Sequence, residues 1–107
     1  MKLSFIPLVA AYWDQSKICD EFAMNTVDFE IMTDMSMYEC QQWCYQAERD
    51  AFPSVPAGTV MCCDYEQWDL SGNSDCSLYK GNARKENRCN SSSICDDTYA
   101  SFLFYAS

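Results

Sequence analysis

The sequence contains no histidine among its 107 residues, and glycine and proline occur only three times each. Without histidine the chain lacks the usual general base, so hydrolases built on a histidine-dependent Ser or Cys triad are excluded. No glycine-rich phosphate loop, dinucleotide fingerprint or calcium-loop register is present, and the oxygen-rich segment 69–75 (DLSGNSD) is predicted to be a turn. We therefore predict that the chain is not an enzyme and carries no cofactor.

Basic residues are also scarce, with seven Lys and Arg against sixteen Asp and Glu, a net charge of −9 and a pI near 4.1. Phosphate binding needs clustered Lys and Arg that replace counterions, so we expect no nucleic-acid partner. A membrane span would need roughly 20 consecutive apolar residues, and no run of that length occurs. The excess of acidic residues favours solubility and could attract a basic partner or a cation.

Paired carboxylates are the remaining candidates for acid–base chemistry. Asp96 with Asp97, and Asp64 with Glu66, could serve a glycosidase only if each pair were held about 5–10 Å apart in a cleft. We prefer to interpret both pairs as exposed charged residues beside strands.

Cysteine is abundant, with eight residues in this short chain. That density and the even count are typical of a disulfide scaffold formed in an oxidising compartment. Zinc would favour Cys-x2-Cys knuckles or histidine ligands, and the sequence has neither. We predict disulfides, no bound metal, and a secreted or cell-surface location.

The first residues form a separate apolar segment. Residues 1–11 (MKLSFIPLVAA) have the lysine, apolar run and small residues of a truncated signal peptide, although Pro7 interrupts the run. The stretch from Leu3 to Trp13 is predicted either to complete its own sheet or to insert into a neighbouring copy of the chain. We divide the chain into an N-terminal arm, residues 1–18, and a disulfide-rich domain, residues 19–107.

The clearest helix is predicted over residues 36–49. Ser36 and Glu39 form a capping box, which satisfies backbone amides that have no partner within the helix. An apolar stripe at helical spacing is predicted to face the core, and it consists of Cys40, Trp43, Cys44 and Ala47.

Strands are predicted around this helix. The alternation of residues 27–33 (VDFEIMT) is typical of a half-buried strand. Residues 59–68 and 75–80 are predicted to form a β-hairpin. The polar segment 81–93 is expected to be an exposed loop, and residues 98–105 (TYASFLFY) a closing strand that is central or covered on both faces.

This arrangement resembles the PAN/apple family over roughly residues 19–105. The resemblance rests on a capped helix followed by a cysteine-bearing hairpin, namely Cys40-x3-Cys44, then Cys62 and Tyr65, then Cys76-Ser77-Leu78-Tyr79. It implies an α+β fold in which one helix is pinned by disulfides to a curved antiparallel sheet. It also implies a module that binds proteins or carbohydrates at cell surfaces and in secreted proteins.

The resemblance further implies a set of bridges. By position these are Cys40 with Cys76, Cys44 with Cys62, and Cys19 with Cys95 or Cys89. The extra Cys63, which departs from the family pattern, would pair with whichever of Cys89 and Cys95 is left. The residues alone do not choose among about 105 possible pairings.

Two surface features bear on binding. Asn90-Ser91-Ser92 is an acceptor sequence for N-linked sugar in the predicted polar loop. The sixteen aromatic residues exceed what so small a core needs, and exposed Tyr and Trp commonly anchor protein and sugar contacts. The binding candidates are Trp13, Trp68, Tyr79 and Tyr105, whereas Trp43 is assigned to the core.

Three functions remain open from the sequence. The leading hypothesis is a non-enzymatic extracellular interaction module that binds a protein or glycan partner. The second is a structural subunit that assembles into an extracellular filament or coat by docking Leu3 to Trp13 in the next copy. The third, a small secreted signal or mating factor, fits the size and acidity but has no distinguishing feature.

Overall fold

The computed structural model describes residues 13–23, 25–33, 35–51, 55–67, 73–86 and 98–107. These residues form an α+β fold with one helix and antiparallel strands, in agreement with the predicted class. The elements in chain order are β1 (Lys17–Cys19), β2 (Asn25–Thr33), α1 (Met37–Ala51), β3 (Val60–Gln67), β4 (Asn73–Lys80), β5 (Arg84–Glu86) and β6 (Thr98–Tyr105).

Helix α1 begins where the capping box predicts. The backbone N–H of Glu39 donates to Ser36 Oγ at 3.1 Å, and the backbone N–H of Ser36 donates to Glu39 Oε1 at 2.8 Å. Both amides would otherwise lack a partner in the first turn, so this reciprocal pair determines where the helix starts. Cys40, Cys44 and Ala47 are buried, as the apolar stripe predicted. Within the described ranges, no helical segment reaches the length and hydropathy of a bilayer-spanning helix.

Four of the strands form one antiparallel sheet in the order β2-β4-β3-β6. The predicted hairpin is confirmed as β3 and β4, with Cys63 opposite Leu78 and Tyr65 opposite Cys76. The predicted strand 27–33 is confirmed as β2 and starts two residues earlier.

Residues 98–105 form the predicted closing strand, but the prediction that this strand is central or covered on both faces is wrong. Strand β6 lies at the end of the sheet order rather than at its centre, and Leu103 and Tyr105 are exposed. The physical reason is that β6 alternates, so Phe102 is buried against the helix side while its neighbour Leu103 points the other way. An apolar run was therefore not enough to predict burial on both faces.

Helix α1 packs on one face of the sheet and forms the main core with it. The buried sheet residues of this core are Met61, Cys63, Tyr65, Cys76, Leu78 and Phe102. The side of the core is closed by Trp13, whose ring centroid lies 4.6 Å from that of Phe102 in an edge-to-face arrangement. Tyr65 anchors the start of the helix, because its hydroxyl donates to the Met35 carbonyl at 2.8 Å.

A second, two-stranded ribbon consists of β1 and β5 and contacts the sheet through β1. Lys17 and Glu86 form an ion pair across it at 3.0 Å, and the Ser101 hydroxyl of β6 donates to the Lys17 carbonyl at 2.8 Å. The prediction that residues 81–93 form only an exposed loop is therefore wrong for Arg84–Glu86. Short polar segments of this kind become strands only when a distant partner, here β1, pairs with them.

Three disulfides join the described cysteines: Cys19–Cys62, Cys40–Cys76 and Cys44–Cys63. The implied pairing of Cys40 with Cys76 is confirmed. The implied pairing of Cys44 with Cys62 is wrong. Cys19 pairs with neither Cys89 nor Cys95, and Cys63 does not need either of them. Cys89 and Cys95 lie outside the described residues.

Strand geometry explains why Cys44 pairs with Cys63 and not with Cys62. Successive residues of a strand point to opposite faces of the sheet, so the adjacent Cys62 and Cys63 cannot both face the helix. Cys63 faces α1 and reaches Cys44, whereas Cys62 faces the ribbon and reaches Cys19. The adjacent pair thus links the sheet to two different layers.

Candidate functional site

The face of the sheet opposite α1 carries polar side chains brought together by strand register. On β3, Asp64 and Glu66 share this face with Cys62 because alternate residues point the same way. On β4, Ser77 lies opposite Asp64 and Asp75 lies opposite Glu66. Three carboxylates, those of Asp64, Glu66 and Asp75, are thus neighbours on this face although they come from two different strands.

The ribbon covers one end of this face. The Cys19–Cys62 disulfide ties β1 directly to β3. Beyond β1 the chain turns back at Asp20, whose carbonyl accepts from the Ala23 N–H at 3.0 Å and whose Oδ1 accepts from the Phe22 N–H at 3.2 Å. This turn holds Glu21 and Phe22 above the carboxylates of the sheet.

The space between the turn and the sheet is a cleft of about 440 Å³, which we call the acidic cleft. Four of its seven lining residues are carboxylic acids, and none is basic. The lining residues are Glu21, Phe22, Asp64, Glu66, Asp75, Ser77 and Tyr79. The Phe22 side chain is 87% exposed and forms the rim.

Asp64 is the most perturbed acid of the cleft. Its pKa is raised from the usual 3.8 to about 8, mainly by burial and also by the negative charges of Glu66 and Glu21. The Cys19 backbone N–H, which donates to the carboxyl group, and the Lys85 ammonium act in the opposite direction. Its Oδ1 atom is buried and has no hydrogen-bond partner among the described residues. Asp64 is therefore mostly protonated at neutral pH, and a cation in the cleft would favour its ionised form.

The surrounding groups hold this arrangement in place. The Tyr99 hydroxyl of β6 donates to Glu66 Oε2 at 2.7 Å. The Lys85 Nζ lies 5.1 Å from the centroid of the Phe22 ring. Tyr99 and Lys85 thus each contact one cleft residue, Glu66 or Phe22, and neither of them is part of the cleft lining.

The arrangement is suited to binding a positively charged group. Carboxylates in a partly buried cleft attract a cation more strongly than exposed carboxylates do, because less water screens the charges. Asp64 and Glu66, the pair considered for glycoside hydrolysis, do share this cleft. Asp96 and Asp97 lie outside the described residues, and the absence of catalysis stays a prediction.

The predicted binding residues are dispersed. Tyr79 is buried in the wall of the acidic cleft, and Trp13 packs in the core on the other face of the sheet. Tyr105 is 73% exposed at the end of β6. Trp68 and the sugar acceptor Asn90 lie outside the described residues.

Several cleft residues were not singled out from the sequence. The alternation of acids and hydroxyls along β3 and β4 is a signal that could have identified Asp75 and Ser77 as neighbours of Asp64. Glu21 and Phe22 had no such signal, since their turn reaches the sheet through tertiary contacts of β1, among them the Cys19–Cys62 bridge. Comparison of the chain with models of known protein families, with curated proteins and with solved structures found no match in any of the three.

Proposed function

We propose that this chain is a non-enzymatic extracellular interaction module that binds a positively charged group of a partner in the acidic cleft. The observation that carries the proposal is the Asp64 carboxyl group, which faces a cleft of acids with its Oδ1 buried and without a hydrogen-bond partner in the described residues. A buried polar atom without a partner is costly in a folded protein. A cationic ligand would remove that cost.

A protein partner that presents an arginine or lysine side chain fits this cleft best. The net charge of −9 attracts a basic partner as it approaches, and the acidic lining attracts the basic side chain once it is in the cleft. The exposed ring of Phe22 at the rim offers a flat apolar surface on which the stem of such a side chain would pack. A neutral glycan has no charge for the four acids to attract, so they would add little to its affinity.

Two further considerations support an extracellular binding role. The disulfides of the described residues are typical of an oxidising compartment. The proposed PAN/apple relationship, drawn from the helix and hairpin cysteines, implies a module that binds proteins or carbohydrates.

The test is a binding comparison between matched peptides. Arginine-containing peptides, the same peptides with glutamine in place of arginine, and a panel of neutral glycans are presented to the wild-type chain, to Glu66→Gln and to Asp50→Asn. Asp50 is exposed on α1, on the opposite side of the sheet, so its variant controls for loss of one charge. We expect Glu66→Gln to weaken binding at least about tenfold, which corresponds to 1.4 kcal/mol, and Asp50→Asn to leave it unchanged.

The pH dependence provides a second readout. A cation binds the ionised carboxylate, so affinity should increase as the pH rises through about 8, the pKa of Asp64. The variant Asp64→Asn should lose this increase. Equal binding of arginine and glutamine peptides, or binding of glycans alone, would contradict the proposal.

A structural subunit that assembles through its N-terminal arm is the second candidate. The observation in its favour is an antiparallel bridge in which the Asp14 N–H donates to the Ser101 carbonyl at 2.7 Å and the Ser101 N–H donates to the Asp14 carbonyl at 3.1 Å. This bridge lies on the edge of β6 that β3 leaves unpaired. Farther along β6, a groove of about 200 Å³ is lined by Val60, Asn82, Leu103, Phe104 and Tyr105. Because the chain's own Asp14 occupies this edge, assembly would require the arm of a neighbouring copy to exchange for it.

Deleting residues 1–12 tests this candidate and keeps Trp13 in the core. A strand-donating subunit should form large assemblies as the full chain and lose them on truncation, as measured by light scattering and negative-stain microscopy. If the full chain is monomeric at all concentrations, the second candidate fails and the interaction module stands.

A further inference from the structure

The four cysteines that join α1 to the sheet form one cluster of sulfur atoms. The Sγ atoms of Cys40, Cys44, Cys63 and Cys76 all lie within 4.8 Å of one another. The two disulfides lie side by side, with 3.8 Å between the Cys40 and Cys63 sulfurs and 3.8 Å between those of Cys44 and Cys76. All four residues are completely buried.

The two sulfur–sulfur distances between the bridges match those of a structural metal site. A tetrahedral zinc site with Zn–S bonds of about 2.3 Å places its sulfurs roughly 3.8 Å apart. The sulfurs of the two neighbouring bridges already have this separation. Within each bridge, the two sulfurs would have to move apart to a similar distance once their covalent bond is broken.

The elements that carry the sulfurs are also suited to metal binding. Cys40 and Cys44 lie one turn apart on α1 and present their sulfurs in the same direction. Their Cys-x3-Cys spacing is not the Cys-x2-Cys knuckle sought in the sequence, but it lies within the wider Cys-x2–4-Cys range of structural zinc sites. Cys63 and Cys76 come from the hydrogen-bonded neighbours β3 and β4. Complete burial leaves no open coordination position for a substrate, so a structural site fits and a catalytic one does not.

We propose that these four cysteines, when their two disulfides are reduced, bind one thiophilic divalent cation such as Zn²⁺. The metal then joins the helix to the sheet in place of the disulfides. The same residues would thus hold one fold by covalent bonds in an oxidising compartment and by a metal wherever reductant keeps the thiols free. This inference does not rest on the acidic cleft.

The chemistry balances with a phosphine as reductant. Each disulfide accepts two electrons from the phosphine, its S–S bond breaks, and two thiols form with protons from one water, whose oxygen becomes that of the phosphine oxide. Metal binding then displaces four protons from four thiols. The Asp64 carbonyl, 3.6 Å from Cys40 Sγ, and the Cys40 carbonyl, 3.3 Å from Cys76 Sγ, would accept hydrogen bonds from protonated thiols. Metal affinity should therefore increase with pH.

The experiment uses the full chain after reduction with a phosphine. It is titrated with Zn²⁺, and separately with Co²⁺, whose visible absorption reports tetrahedral thiolate coordination. The variant Cys40→Ser/Cys76→Ser removes two ligands, and Cys19→Ser/Cys62→Ser is the matched control because it removes the bridge on the other face of the sheet. Circular dichroism reports whether metal binding restores helix α1.

We expect one tight ion per reduced wild-type chain, tetrahedral cobalt absorption and recovery of the helical signal. Loss of two ligands in Cys40→Ser/Cys76→Ser should weaken metal binding at least about 100-fold, and Cys44→Ser/Cys63→Ser should weaken it by a similar factor. The metal affinity of the control should stay within about threefold of wild type. The proposal is overturned if the reduced chain binds no zinc, if zinc binds without restoring the helix, or if removing Cys40 and Cys76 has no more effect than the control. Equal uptake by the oxidised chain would also overturn it.

Discussion

Replacing Asp64 with Asn should remove a large part of the pH dependence of folding. The Asp64 carboxyl group lies beneath the ribbon, where burial and the charges of Glu66 and Glu21 raise its pKa from 3.8 to about 8. The folded chain therefore holds a proton on Asp64 that the unfolded chain releases at a much lower pH. Asn has nearly the same shape, carries no charge at any pH, and still offers an oxygen to the Cys19 N–H.

The sign and size of this pH dependence of the free energy of unfolding follow from proton linkage. A group whose pKa is raised by folding stabilises the folded state fully below its unfolded pKa, and the stability is lost as the pH rises through its folded pKa. A rise of the Asp64 pKa from 3.8 to about 8, at about 1.36 kcal/mol for each pKa unit, corresponds to a loss of roughly 6 kcal/mol in the free energy of unfolding. Whole domains are stable by only about 5–15 kcal/mol, so such a loss is readily measured.

Urea unfolding with the disulfides intact, followed by tryptophan fluorescence between about pH 4 and pH 9, gives the free energy of unfolding of both chains. We expect wild type and Asp64→Asn to agree within about 1 kcal/mol near pH 4, and the variant to be more stable by several kcal/mol near pH 9. Asp50→Asn, which removes one exposed carboxylate from α1, controls for net charge. A difference between wild type and Asp64→Asn that stays constant over this range would refute the reasoning.

Three further changes test the helix cap, the ribbon bridge and the core by the same urea unfolding measurement at neutral pH. Ser36→Ala removes the hydroxyl that accepts from the Glu39 N–H and should cost about 1 kcal/mol. Cys19→Ser/Cys62→Ser opens a bridge with a sequence separation of 43 and should cost about 4 kcal/mol in the chain-entropy treatment. Phe102→Ala empties a fully buried site beside Trp13 and should cost roughly 3–5 kcal/mol.

Each of these predictions has an outcome that contradicts it. An unchanged stability in Ser36→Ala would mean that water replaces the cap without loss. An unchanged free energy of unfolding in Cys19→Ser/Cys62→Ser would mean that β1 remains docked through its backbone contacts alone. A cost below about 1 kcal/mol for Phe102→Ala would mean that the surrounding side chains collapse into the vacated space.

Local features of the sequence predicted the local structure well. The capping box located the start of α1 to within one residue, because its two hydrogen bonds connect residues only three apart. The hairpin of β3 and β4 followed from two β-rich runs separated by a short turn-forming segment. Pairing of Cys40 with Cys76 followed from the PAN/apple resemblance and agrees with the structure.

Predictions that depended on distant contacts were less successful. The segment Arg84–Glu86 has no strand pattern of its own and becomes β5 by pairing with β1, more than sixty residues earlier. The choice of Cys63 rather than Cys62 as the partner of Cys44 depended on which face of β3 meets the helix. The acidic cleft was missed as a unit because its acids come from three separate segments of the chain.

The sequence by itself determined the class of the protein: an α+β domain with a capped helix, alternating strands and enough cysteine to replace part of a larger core. These features are set by interactions within a few residues, or by composition, and they do not depend on the rest of the fold. Tertiary structure alone decided which cysteines meet, where the ribbon docks and which carboxylates share a cleft. Each of those outcomes depends on how the whole sheet faces the helix, and no single segment carries that information.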